Sequence, residues 1–153
     1  MTSFDQLIRG LCALAGFTAP QRLLAGDAIC FDNVDFAITV GVPHHPDALL
    51  LYADFGKLDL EKKAMLYPLM LKENAMMLQT RNCTFGVSEI HDSVVLIEKL
   101  SLTATTPESL LKAMRMIARK AHYFSQQPYR PSMTANRHNT HPAIASRSQR
   151  SRS

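Results

Sequence analysis

The side chains best suited to chemistry in this chain are six histidines and three cysteines. His44 and His45 stand side by side in a Pro-flanked loop. Neighbouring residues in extended backbone point to opposite sides, so the pair does not converge on one metal or one substrate. His138 and His141 are spaced as two ligands on one helix face would be, but no cysteine or acid accompanies them and the residues around them are not helical in character. His91 falls in a turn and His122 near a helix end, where both serve structure or face water. Cys12, Cys30 and Cys83 are odd in number and contain no C-x-x-C pair. They read as reduced thiols packed as small apolar groups, not as a disulfide framework. Cys12 with a distant histidine would make a thiol nucleophile, yet any chain with this many of both residues offers that pairing. No Gly-rich phosphate loop, H-E-x-x-H or G-x-S-x-G occurs, and the acids are scattered singly. The expectation is a protein that is not an enzyme and needs neither metal nor cofactor.

Length and composition say what carries the function instead. A chain of 153 residues, 46% hydrophobic and 20% charged, folds as one domain and removes about 68–70% of its unfolded surface from water. No run of 18 apolar residues exists, so no membrane insertion is expected. The apolar run at 11–17 is too short for a secretory leader and follows Asp5 where a basic segment belongs. Charge divides the chain. Residues 1–124 carry 12 basic and 13 acidic side chains, and residues 125–153 carry five arginines and no acid. The tail is rich in Ser, Pro, Asn and Gln without apolar periodicity, and is expected to be disordered. The organisation expected is therefore a domain over 1–124 and a disordered basic tail over 125–153. Arg147, Arg150 and Arg152 suggest the alternative function, a nucleic-acid-associated regulator. That reading ranks second because no recognition helix with base-reading side chains is visible.

The elements follow from local signals. Ser3 with Gln6 forms a capping box, and Phe4, Leu7, Ile8, Leu11 and Leu14 recur at helical spacing up to Gly16, a natural stop. Leu23-Leu24 make a short apolar turn after Pro20. Two strands at 28–31 and 34–40 flank Asp32-Asn33, a tight hairpin turn. A polar loop at 43–47 precedes a strand at 48–55, apolar on both faces and so expected to be covered on both. Asp59 caps a second helix from Leu60 to about Gln79, which Pro68 should kink. Strands at 84–88 and 94–100 form another hairpin. Thr106-Pro107-Glu108 opens the last helix, with Lys112, Arg115, Arg119 and Lys120 toward water. The order α-β-β-β-α-β-β-α predicts an α+β fold, an antiparallel sheet with helices packed on it.

The second helix is the informative one. Ala64, Tyr67, Leu71, Ala75 and Leu78 form one apolar stripe, while Met65, Leu66, Leu69, Met70, Met76 and Met77 fill most of the remaining surface. A helix apolar nearly all round needs cover on both sides. One small sheet supplies one side, and a second copy of the chain is the simplest source of the other. Ile29, Phe31, Phe36 and Ile38 add apolar surface near a sheet edge, where an extended partner segment can pair.

With these elements in place, the segments MTSFDQLIRGLCALAG, DALLLYADFG, LDLEKKAMLYPLMLKENAMM and CTFGVSEIHDSVVLIEKL resemble the CesT/Tir-chaperone family, class I chaperones of bacterial type III secretion. The similarity spans about residues 3–124 and leaves out the tail. The resemblance implies the same element order and a homodimer centred on the second helix, at Leu66, Tyr67, Leu69, Met70, Leu71 and Met77. It implies a cytoplasmic bacterial protein that binds the N-terminal chaperone-binding segment of a cognate secreted effector, keeping it extended, soluble and competent for export, with the export apparatus as a further contact. By position in the pattern, Phe17, Leu23, Leu24, Ile29, Phe31, Phe36 and Ile38 would line the effector-binding surface. This chain departs from the family in being near neutral with a basic tail, where members are usually acidic, and in carrying Pro68 within the dimer helix.

Overall fold

The computed structural model describes residues 3–80 and 82–126. Four helices and five strands follow one another: α1 Phe4–Ala15, α2 Pro20–Leu24, β1 Ile29–Phe31, β2 Val34–Val42, β3 His45–Lys57, α3 Leu60–Thr80, β4 Cys83–Ser88, β5 Ser93–Ser101 and α4 Pro107–Ser125. The fold is α+β, and the strands make one antiparallel sheet in the order β1-β2-β3-β5-β4. The expected order is present with one addition: the Leu23-Leu24 turn is itself a short helix, with Pro20 in its first turn. Of the disordered tail expected over 125–153, everything after Gln126 lies outside the described residues.

Local chemistry sets the element ends. The Ser3 hydroxyl accepts from the Gln6 amide while the Gln6 side chain accepts from the Ser3 amide, and Gly16 closes α1 at φ 75°. Asp59 accepts the Lys62 amide at 2.8 Å to start α3. Thr106 and Ser109 form the reciprocal cap of α4. Asp32 and Asn33 both take positive φ, 52° and 61°, as a two-residue type I′ hairpin turn requires. The polar loop expected at 43–47 contracts to a second tight turn, Pro43-His44, because Val42 pairs with His45. A fixed φ at Pro43 followed by φ 67° at His44 is the pattern of a type II turn. Gly41, at φ 78°, takes up the bulge between Val40 and Val42.

Register sorts the sheet into two faces. Ile29, Phe36, Ala53, Leu96 and Phe85 form one cross-strand row, and Ile38, Leu51 and Cys83 lie in the next on the same face. That face meets α1, α3 and α4 in a core where Leu7, Ile8, Leu11, Phe36, Leu49, Leu51, Leu110 and Met114 are fully buried. The opposite face carries Ala37, Leu50, Tyr52, Val95 and Ile97, all half-buried, with Asp35 and Lys99 exposed. Among the described residues, the cover expected on both faces of β3 is thus present on one only: Leu49, Leu51 and Ala53 are buried, while Leu50 and Tyr52 shelter among their cross-strand neighbours. Gly10, which costs α1 some intrinsic stability, has a packing reason. A Cβ there would come within 2.6 Å of the Pro107 ring, so glycine lets α1 close onto the start of α4.

Pro68 does not break α3, which runs from Leu60 to Thr80. Pro68 and Ala64 both sit on its exposed side, so the Ala64 carbonyl left without a helical donor opens toward water. Lys120, expected to face water, instead reaches across to α3. Its Nζ donates to Glu73 Oε2 at 2.8 Å and lies 5.8 Å above the Phe85 ring.

Candidate functional site: one open sheet edge and one open helix face

A sheet with two edges offers two places for an extended partner, and here they differ. At β4 the outer edge is occupied. Asn74 of α3 lays its amide alongside Phe85, accepting the Phe85 N–H at 2.6 Å and donating to the Phe85 carbonyl at 3.1 Å. One side chain thus stands in for the backbone of a missing strand. Replacing Asn74 by alanine leaves the amide of the buried Phe85 without its acceptor and should cost about 1–3 kcal/mol. A lowered urea midpoint, together with concentration-dependent association through the freed edge, is the expected result. An unchanged midpoint would show that water serves Phe85 equally well.

The β1 edge has no such plug among the described residues. Its three residues pair with β2 alone, and just before it the Arg22 guanidinium donates to the Ala28 carbonyl at 3.2 Å. Above the edge lies an aromatic strip: Phe17 meets Phe31 edge to face at 5.9 Å, and Phe31 meets Phe36 at 6.2 Å. Phe17, Leu24, Ile29 and Phe31 are half-buried, packed against the core with part of each surface open. The other three residues expected in this surface need correction. Leu23, Phe36 and Ile38 are 0%, 0% and 1% exposed, because they point from α2 and β2 into the space beneath α1 and α4, and nothing extended can touch them there.

The residues expected on α3 divide in the same way. Leu66, Met70 and Met77 are buried within their own subunit, so they belong to its core and not to an outer face. Tyr67 is half-buried. Leu71 is 70% exposed and shares one side of the helix with the exposed Leu60, Ala64 and Ala75. Leu69 and Met76, 41% and 67% exposed, lie on the other flank, about 160° round the axis from Leu71. The helix therefore spends one side on β4 and α4 and turns the side that carries Leu60 and Leu71 outward.

Neither surface holds catalytic chemistry. Among the described residues no cluster of His, Cys, Asp and Glu is placed to hold a metal ion. Burial pushes the Cys12 thiol up, away from the reactive thiolate. His122 Nε2–H donates to the Asp32 carbonyl at 3.0 Å, tying the end of α4 to the β1–β2 turn. His44 and His45 are exposed at their hairpin. No described helix is long and apolar enough to cross a membrane.

The signature of the Tir chaperone protein (CesT) family matches residues 6–125, all but the ends of the chain. The chain belongs to the CesT family. This is a family of chaperones and not of enzymes. Solved structures share the fold at low identity. The Yersinia pestis type III secretion chaperone SycH, solved with a stable fragment of YscM2, superposes with a TM-score of 0.59 at 15% identity, covering 80% of this chain and 99% of that one. The ExsC–ExsE complex gives 0.60 at 18% identity, covering 81% and 94%. The HopA1–SchA chaperone–effector complex gives 0.53 at 12% identity, covering 65% and 74%. No curated protein matches the chain. Asn74 is not singled out by the sequence, where it follows Lys72-Glu73 with no local signal of its role. The sequence alone puts Lys120 toward water and gives His122 a structural or water-facing place.

Proposed function

We propose that this CesT-family protein is a type III secretion chaperone of the bacterial cytoplasm. It acts as a homodimer that holds the N-terminal segment of a cognate effector extended, soluble and ready for export. The observation that carries this reading is the asymmetry of the sheet: the β4 edge is plugged by Asn74, while among the described residues the β1 edge has no such plug and is flanked by Phe17, Leu24, Ile29 and Phe31. An extended segment adding to β1 gains main-chain hydrogen bonds, and its alternate side chains meet the aromatic strip. The solved structures of similar fold, determined with a fragment of YscM2, with ExsE and with HopA1, support such a partner.

Dimerisation is supported by the outward side of α3. Fully burying a Leu or Met side chain contributes about 1.5–3 kcal/mol. Leu60 and Leu71, on one side of α3 and 82% and 70% exposed, therefore supply up to about 6–12 kcal/mol from two copies, comparable with the 4–15 kcal/mol cost of association. Ala64 and Ala75, exposed, and Tyr67, half-buried, extend the same side. Affinity capture with the intact protein from a secreting bacterium should recover one dominant secreted protein, and deletion of that protein's N-terminal segment should abolish capture. Recovery of folded cytoplasmic proteins alone would sink the reading.

A further inference from the structure

The sheet face away from the helices is apolar at its centre and acidic at one end. Asp35, Asp54 and Val95 lie in one cross-strand row, followed by Ala37, Tyr52 and Ile97 in the next. Asp35 and Asp54 stand directly opposite each other, an arrangement of like charges that destabilises a sheet. The Asp54 carboxylate accepts from the Gly56 amide at 2.7 Å and the Ser93 hydroxyl at 2.8 Å. Neither aspartate forms an ion pair with a described residue. Lys99, on the same face, is four residues along β5 from Val95, about 13 Å away. The row borders a hollow of about 460 Å³ that includes Ala37 and Tyr52.

We propose that this face is covered by the chain's own basic C-terminal segment, residues 127–153. Three observations select that occupant. The segment holds Arg130, Arg137, Arg147, Arg150 and Arg152 and no acid, which complements the unpaired aspartates. It starts at the right end of the molecule. Ser125 shares a hollow with Phe55 and Lys57 at the end of β3, His122 touches the carbonyl of Asp32, and Asp54 and Asp35 lie within three residues of those positions along β3 and β2. It is also long enough: 27 residues span about 90 Å extended and about 30 Å as a flexible coil. Tethering at that length gives a millimolar effective concentration, so weak arginine–carboxylate contacts suffice to populate the covered state. The segment serves as an internal cover for an apolar face, with no client required.

The chain has no tryptophan, so Tyr52→Trp installs a single reporter on this face. In the isolated full-length protein, acrylamide should quench that reporter at least about twofold less than in a variant with all five tail arginines changed to glutamine. Asp35→Asn should erode the protection, and so should about 0.5 M salt, which shortens the Debye length to a few ångströms. Equal quenching in the two chains overturns the proposal. So does protection that rises with protein concentration alike in both, because the occupant is then a second copy. Methyl resonances of Val95 and Ile97, compared between the natural chain and the arginine-free variant, give the same answer without touching Tyr52: shifts support the cover, and coincident spectra overturn it. No client is present in either measurement, so the outcome is separate from that of effector capture.

Discussion

Leu60→Asp and Leu71→Asp are each expected to turn a two-chain particle into a folded single chain. In the proposed dimer both side chains meet the partner's α3, and a carboxylate there is stripped of water with no cation beside it. Such an uncompensated charge costs about 3–5 kcal/mol, raising the dissociation constant by about two to four orders of magnitude. Within one subunit the same changes touch little. Leu71 is 70% and Leu60 82% exposed, and surface substitutions usually stay within about 0.5 kcal/mol. Circular dichroism should therefore be preserved while light scattering reports half the mass. Met70→Asp is the contrasting case. Met70 is 5% exposed inside its own subunit, so that variant should fail to fold instead of dissociating. Intact dimers for both leucine variants would remove α3 from the interface.

Phe36→Ala and Phe31→Ala should separate stability from client binding. Phe36 is fully buried, and removing a buried phenylalanine costs about 3–5 kcal/mol. A domain with ordinary stability of 5–15 kcal/mol loses a large share of it, seen as a sharp fall in the urea midpoint. Phe31, half-buried at the open edge, loses an edge-to-face contact with Phe17 and one with Phe36, worth about 0.5–1.5 kcal/mol each. Its variant should stay folded and lose effector capture. If Phe31→Ala still captures the effector as the natural chain does, the β1 edge is not the client surface.

The difference between these two phenylalanines shows where sequence reading reached its limit. Both sit in apolar runs beside the same hairpin, five residues apart. What buries one and half-exposes the other is α4, which arrives from seventy residues downstream to cover β2 while β1 lies at the rim. The α3 helix repeats the lesson. Its all-round apolar surface announced that two partners would be needed, but not which side each would take. Leu66, Met70 and Met77 went inward and Leu69 and Leu71 outward because β4 and α4 fixed the helix's rotation.

Element ends, turns and strand alternation were written in the sequence, because a cap or a type I′ turn is decided by residues within three or four positions of one another. The Ser3–Gln6 box, the Asp59 cap and the Asp32-Asn33 turn are of that kind. The number of open sheet edges was not. Asn74 seals β4 from 11 residues away, Lys120 reaches Glu73 across 47 and His122 reaches Asp32 across 90. Contacts between groups so distant along the chain exist only once the layers have packed, and among the described residues that packing plugs the β4 edge and leaves the β1 edge without a plug.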